Sequence, residues 1–167
     1  MKCVKMAFVS ALLALCAATG CFAEEKLFAH TKAFLAAVKT DGLKYRVAES
    51  EAGRNDIMFD FRGDNVSTIT VTVVFVKDEP NLAALRAWNL VKVPENKLPK
   101  VYELLSRLSR DYKFCKFTYD PTERTVDVYM ELITRPDCAG EVNREGLSRM
   151  VDICDEAYPI LMKAIYE

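Results

Sequence analysis

The run VSTITVTVVFVKDEPNLAALRAWNLVKVPENKLPKVYELLSRL, Val66 to Leu108, passes from strict alternation, through a turn, to a 3.6-residue repeat. In its first part Ile69, Val71, Val73 and Phe75 point one way, and Thr68, Thr70 and Thr72 the other. That is the signature of a strand with one buried and one wetter face. Asp78-Glu79-Pro80-Asn81 is turn chemistry, and 82–91 reads as the returning strand. With those four residues as the hairpin loop, Lys77 faces Leu82 and Val71 faces Trp88. Trp88 is then expected as a core aromatic beside Ala84 and Leu90, and a slip of one residue would move it to the threonine face. Val93-Pro94 ends the strand, and Asn96 is placed to cap a helix whose first turn tolerates Pro99. Val101, Leu104, Leu105, Leu108 and Tyr112 recur at helical spacing and form a stripe that packs inward.

Working outward, residues 24–40 carry Leu27, Thr31, Phe34, Leu35 and Val38 at helical spacing, closed by Asp41-Gly42. Strands are expected near 43–50 and 55–62, split at Gly53-Arg54-Asn55 and ended by Gly63-Asp64-Asn65. YKFCKFTYDPTERTVDVYMELI reads as a hairpin about Asp120–Glu123, with Cys115 opposite Val128 and Lys116 opposite Asp127. Residues 141–166 place Leu147, Met150, Cys154, Leu161 and Ile165 on one stripe of a long helix expected to lie across the sheet. The fold class is α+β: a single antiparallel sheet, meander plus hairpin, with helices packed on it in the order helix, meander, helix, hairpin, helix.

The first segment reads as a targeting signal. Lys2 and Lys5 precede an apolar run from Met6 to about Ala18, and small residues follow before Glu24. The run, roughly 13 residues, is too short to span a bilayer. Residues 1–23 are therefore expected to be a signal peptide cleaved after Ala23, leaving 24–167 as one domain, periplasmic or secreted. Ala18-Thr19-Gly20-Cys21 supports an alternative in which Cys21 is lipidated and anchors the chain.

Removal of 1–23 takes two lysines and no acids, so the charge becomes 21 − 24 = −3. With no basic cluster interleaved with aromatics, nucleic acid is not an expected partner. Cys115, Cys138 and Cys154 would remain, an odd and widely spaced set that is neither a disulfide framework nor a zinc pattern. All three are expected reduced, with Cys115–Cys154 the preferred pair if a bridge forms and Cys138 too far along the last helix to reach Cys154.

Catalytic constellations are sparse. His30 is the only histidine and sits in the first helix, where packing or solvation accounts for it. Nucleophile-elbow, zincin, P-loop and dinucleotide motifs are absent from the sequence, and Asp56, Asp60 and Asp64 read as solvated turn and strand residues. No enzyme activity, metal or cofactor is expected.

From Val93 onward, Val93-Pro94, LLSRLSR, FTYD before the hairpin, and the run Asp155 to Pro159 late in the last helix resemble a bacterial YbjN-type domain. That resemblance implies a fold like that of the type III secretion chaperones, a protein or peptide partner, and a homodimer. The surface expected to bind is the sheet face away from the helices, with Thr70, Thr72, Val74, Leu85, Ala87, Phe114 and Tyr129. The alternative is a small-molecule or metabolite binder holding its ligand between the meander and the helices.

Overall fold

The computed structural model describes residues 26–48, 51–135 and 137–167. The expected signal peptide, its Ala23 cleavage point and Cys21 lie outside the described residues.

The meander and hairpin form one six-stranded antiparallel sheet of order β1-β2-β3-β4-β6-β5. The strands are β1 (Arg46–Ala48), β2 (Arg54–Phe61), β3 (Ile69–Val76), β4 (Leu82–Lys92), β5 (Cys115–Asp120) and β6 (Thr125–Ile133). The helices are α1 (Ala29–Thr40), α2 (Leu98–Asp111) and α3 (Ala139–Tyr166). Order and class are those read from the sequence, because every strand but the shortest carries its own period-2 pattern and each helix a 3.6-residue stripe.

Helix ends follow local chemistry unevenly. After α1, Gly42 takes φ 70° and donates to the Lys39 carbonyl, the left-handed cap expected of Asp41-Gly42. The expected Asn96 cap is not made. A 3₁₀ turn over Glu95–Lys97 intervenes, Lys97 occupies the cap position without a side-chain bond, and Pro99 lies in the first turn of α2.

The core lies between one sheet face and the three described helices. Ile57, Phe59, Val71, Val73, Phe75 and Val128 meet Phe34 and Val38 of α1, Val101 and Leu105 of α2, and Met150, Ile153 and Leu161 of α3. Phe34 packs edge-on to Phe59 at 5.7 Å and tilted to Phe75 at 5.4 Å, tying α1 to the meander. Glycine makes close helix contact possible at Gly140, where an added Cβ would stand 2.8 Å from the Ala33 carbonyl oxygen of α1.

Two registers differ from those expected. The β3–β4 loop has five residues, Lys77–Asn81, made of two successive turns: Glu79 N–H bonds the Val76 carbonyl at 3.2 Å and Leu82 N–H the Glu79 carbonyl at 3.0 Å. Val71 therefore pairs with Ala87, Val73 with Leu85 and Phe75 with Ala83. An odd shift exchanges the two faces of β4. Leu85 and Ala87, expected on the outer face, are 0% and 2% exposed in the core. Trp88, expected in the core, is 45% exposed on the outer face.

In the β5–β6 hairpin Cys115 pairs with Met130 and Lys116 with Tyr129, a shift of two residues. An even shift changes partners but keeps faces, so Cys115 is still buried, while the Lys116–Asp127 pair is not formed. The loop is fixed by Asp120, whose Oδ1 accepts from Thr122 N–H at 2.7 Å and Glu123 N–H at 3.3 Å.

Candidate functional site

Among the described residues, no helix covers the sheet's outer face. Its rim is closed on itself by ion pairs: Arg54 to Asp56 at 2.6 Å and Arg46 to Asp60 at 2.7 Å, with the Thr70 hydroxyl also donating to Asp60 at 2.7 Å. Asp56, Asp60 and Asp64 thus engage separate partners, since Asp64 offers its backbone N–H to Asp155. Thr70 is half-exposed, whereas Thr72 and Val74, although on this face, are packed nearly out of solvent by their neighbours.

Nearer the hairpin the face becomes aromatic. Between Ala87, paired with Val128, and Val91, paired with Val126, β4 has three residues where β6 has one. The bulge is held by Asn89, in the left-handed region at φ 57°. Its N–H donates to Asp127 Oδ1 at 2.9 Å, and its side-chain oxygen accepts from the Thr125 hydroxyl at 2.8 Å. Burial pushes the Asp127 carboxyl above its ordinary pKa, only partly offset by the Asn89 N–H.

Trp88, at the start of the bulge, meets the Tyr129 ring edge-on at 5.3 Å. The Arg86 guanidinium lies 4.5 Å over the same ring and 3.5 Å from Glu131. Desolvation, with Asp127 nearby, raises the Tyr129 hydroxyl's pKa. Beside this cluster Arg86, Phe114, Lys116, Thr118, Tyr129 and Glu131 line a groove of about 410 Å³. Phe114 is 81% exposed and held at φ 69°, a conformation that costs a bulky side chain about 1 kcal/mol or more.

Of the residues expected on a binding face, Tyr129 and Phe114 therefore come together, Thr70, Thr72 and Val74 lie further across the same face, and Leu85 and Ala87 do not belong to it. Arg86 and Trp88 were missed as a consequence of the four-residue loop. A five-residue loop about Glu79-Pro80 would have placed both correctly. Trp, Tyr and Arg are the residue types that carry most binding energy at protein interfaces.

The remaining candidates have structural surroundings. His30 stacks on Phe28 at 5.5 Å and meets the edge of Phe75 at 5.5 Å, and desolvation lowers its pKa, partly opposed by the nearby Val76 backbone. Among the described residues no group of three or more His, Cys, Asp or Glu could hold a metal ion. No described helix is long and apolar enough to cross a membrane.

The described architecture is an α+β fold, an antiparallel sheet backed by helices on one face. The chain resembles the crystal structure of the ExsC–ExsE complex with a TM-score of 0.53 at 16% identity, covering 78% of this chain and 91% of that one. Residues 33–158 match the YbjN family, described as "Putative bacterial sensory transduction regulator", and the chain belongs to that family. No curated protein matches it.

Proposed function

We propose that the chain is an exported, non-catalytic, chaperone-like domain of the bacterial cell envelope that binds a protein or peptide on the bare face of its sheet. The observation that carries this reading is the cluster of Trp88, Tyr129, Arg86 and Phe114: Trp88 and Phe114 exposed, Arg86 and Tyr129 half-buried, three of them on strands and Phe114 in the turn that leads into β5. Membership of the YbjN family and a fold shared with a chain solved as a two-protein complex support it. A small ligand in the adjacent groove is less well supported, because the groove lies open to solvent whereas small-molecule sites bury most of their ligand's surface.

The binding test is site-specific photocrosslinking in living cells. A crosslinker in place of Trp88 or Phe114 should trap a discrete partner, whereas one at Lys39 in α1 should not; equal yields at all three sites would reject the face. Trp88→Ala should remove the Trp88 contact at a stability cost of only about 1 kcal/mol, since it loses an edge-on ring pair rather than core packing. For export, a reporter fused after Glu25 should appear outside the cytoplasm. An intact mass beginning at Glu24 would support simple cleavage, and a lipidated Cys21 would replace it. A homodimer through this face is part of the proposal, and a monomer mass in light scattering would remove it.

A further inference from the structure

On the helical side of the molecule, α2 and α3 leave a groove of about 710 Å³ between them, remote from the aromatic cluster. Where the end of α2 comes alongside the middle of α3, burial together with the nearby Glu156 carboxylate raises the Tyr112 pKa. Along the groove the floor is Leu104 and Ala164, both buried, with Ile160 39% exposed. Its walls carry Lys100, Arg107 and Arg110 from α2 and Lys163 from α3, against Glu103 and Glu167.

The charge balance here runs against that of the molecule. The lining sums to 4 − 2 = +2 in a chain whose net charge is −1. Glu167 is engaged by Lys163 at 3.7 Å, and Arg110 reaches Asp111 at 3.3 Å, all with largely exposed side chains and so weakly bound. Among the described residues, Lys100 and Arg107 form no ion pair. Lys100 and Arg107 thus flank Leu104 without an ion pair, with Glu103 the one acid of α2 in the lining.

We propose that this groove receives an acidic amphipathic helix of a partner protein. The wall and floor residues recur at i, i+3, i+4 and i+7 on α2 (Lys100, Glu103, Leu104, Arg107) and at i, i+3 and i+4 on α3 (Ile160, Lys163, Ala164), with Glu167 just past its end. Those are the ridges into which a third helix packs, and Ala164 is small enough to admit it closely. From Lys100 to Arg110 the groove runs about 15 Å at 1.5 Å per residue, which is the length of roughly three helical turns. Carboxylates flanking an apolar stripe on the incoming helix meet Lys100 and Arg107 while its apolar residues cover Ile160.

The test is fluorescence anisotropy of the full chain with a labelled 14-residue model helix bearing leucine on one face and glutamate beside it. A counterpart with lysine in place of each glutamate is the control. The acidic peptide should bind at least about tenfold more tightly, weakening several-fold from about 50 to about 300 mM salt. Lys100→Glu with Arg107→Glu should reduce its affinity at least about tenfold while Trp88→Ala leaves it unchanged, which separates this site from the sheet face. If the double variant misfolds by circular dichroism, Arg107→Gln alone should still cost a measurable several-fold. Equal binding of both peptides, or affinity indifferent to Arg107, would overturn the proposal. So would binding to phosphatidylglycerol vesicles that needs Lys100 and Arg107 while the acidic peptide does not bind.

Discussion

Removing one carboxylate, that of Asp155 in α3, should destabilise a loop 90 residues away in sequence. Its Oδ1 accepts from the N–H groups of Asn65 and Val66, each at 2.9 Å, and its Oδ2 from Asp64 N–H at 3.1 Å. The Asn65 side-chain amide adds bonds of 3.2 Å to Oδ2 and to the Asp155 carbonyl. Gly63 closes the turn by donating to the Val66 carbonyl at 2.9 Å, and a side chain there would overlap the Asp155 carboxylate. The loop joins β2 to β3, so this knot fastens the meander to the last helix. Four bonds reach the carboxylate, and a hydrogen bond to a charged group contributes about 1.5–3 kcal/mol when shielded. Solvent exposure reduces each to roughly 0.5–0.75, for a total loss of about 2–3 kcal/mol in Asp155→Ala.

The pH dependence has a definite sign. Desolvation alone would raise the Asp155 pKa, but the donors from Asn65, Val66 and Asp64 together outweigh it and hold the group below the ordinary carboxylate value. A depressed folded pKa contributes stability that is present above the unfolded value of about 4 and is lost as pH falls through the folded value. In urea melts near neutral pH the midpoint of Asp155→Ala should drop by roughly 1–2 M, taking a slope near 1.5 kcal/mol/M. The gap between wild type and the isosteric Asp155→Asn should narrow below about pH 4. A loss under about 0.5 kcal/mol, or a gap unchanged by acid, would refute the reasoning.

Gly140→Ala should lower stability by about 1–2 kcal/mol despite the roughly 1 kcal/mol gained in helix propensity, because its Cβ meets the Ala33 backbone; a raised melting temperature would show that α1 can shift. Asp127→Asn keeps an oxygen for the Asn89 N–H and abolishes a buried charge whose pKa is raised, a strain relieved as pH falls, so near neutral pH it should be neutral or slightly stabilising. Asp127→Ala should cost about 1–3 kcal/mol by the same urea melts, and a larger loss for asparagine than for alanine would contradict this account. In the folded protein Cys138, half-exposed, should react first with a disulfide reagent. Burial holds Cys115 up at about 11 and Cys154 up at about 12, so both should stay unreactive until urea unfolds the chain.

Much of the fold was legible because the information is local. The alternation of Ile69 to Phe75 marks a strand with a buried face, and Leu104, Leu105 and Leu108 mark the inner stripe of α2, whatever their partners are. Turn residues such as Gly42 and Asp120 act within three or four positions of themselves. The candidate site was less legible. Phe114 and Tyr129 could be placed on the bare face because the hairpin shift was even, but Trp88 and Arg86 could not, because their side depends on whether one loop has four residues or five.

Composition and periodicity by themselves determined the class of fold: one helix-backed antiparallel sheet, its element order, and, outside β4, most of the apolar residues that fill the core. Tertiary structure alone decided which residues face outward on β4, the bulge that Asn89 and Asp127 hold open, and the capture of the Gly63–Val66 loop by Asp155. The physical reason is one of range. A strand's two faces are written in its own alternation, but which face turns to the core depends on loop parity and on packing against every neighbour at once. Likewise a carboxylate finds backbone donors 90 positions away only after both segments have been brought together.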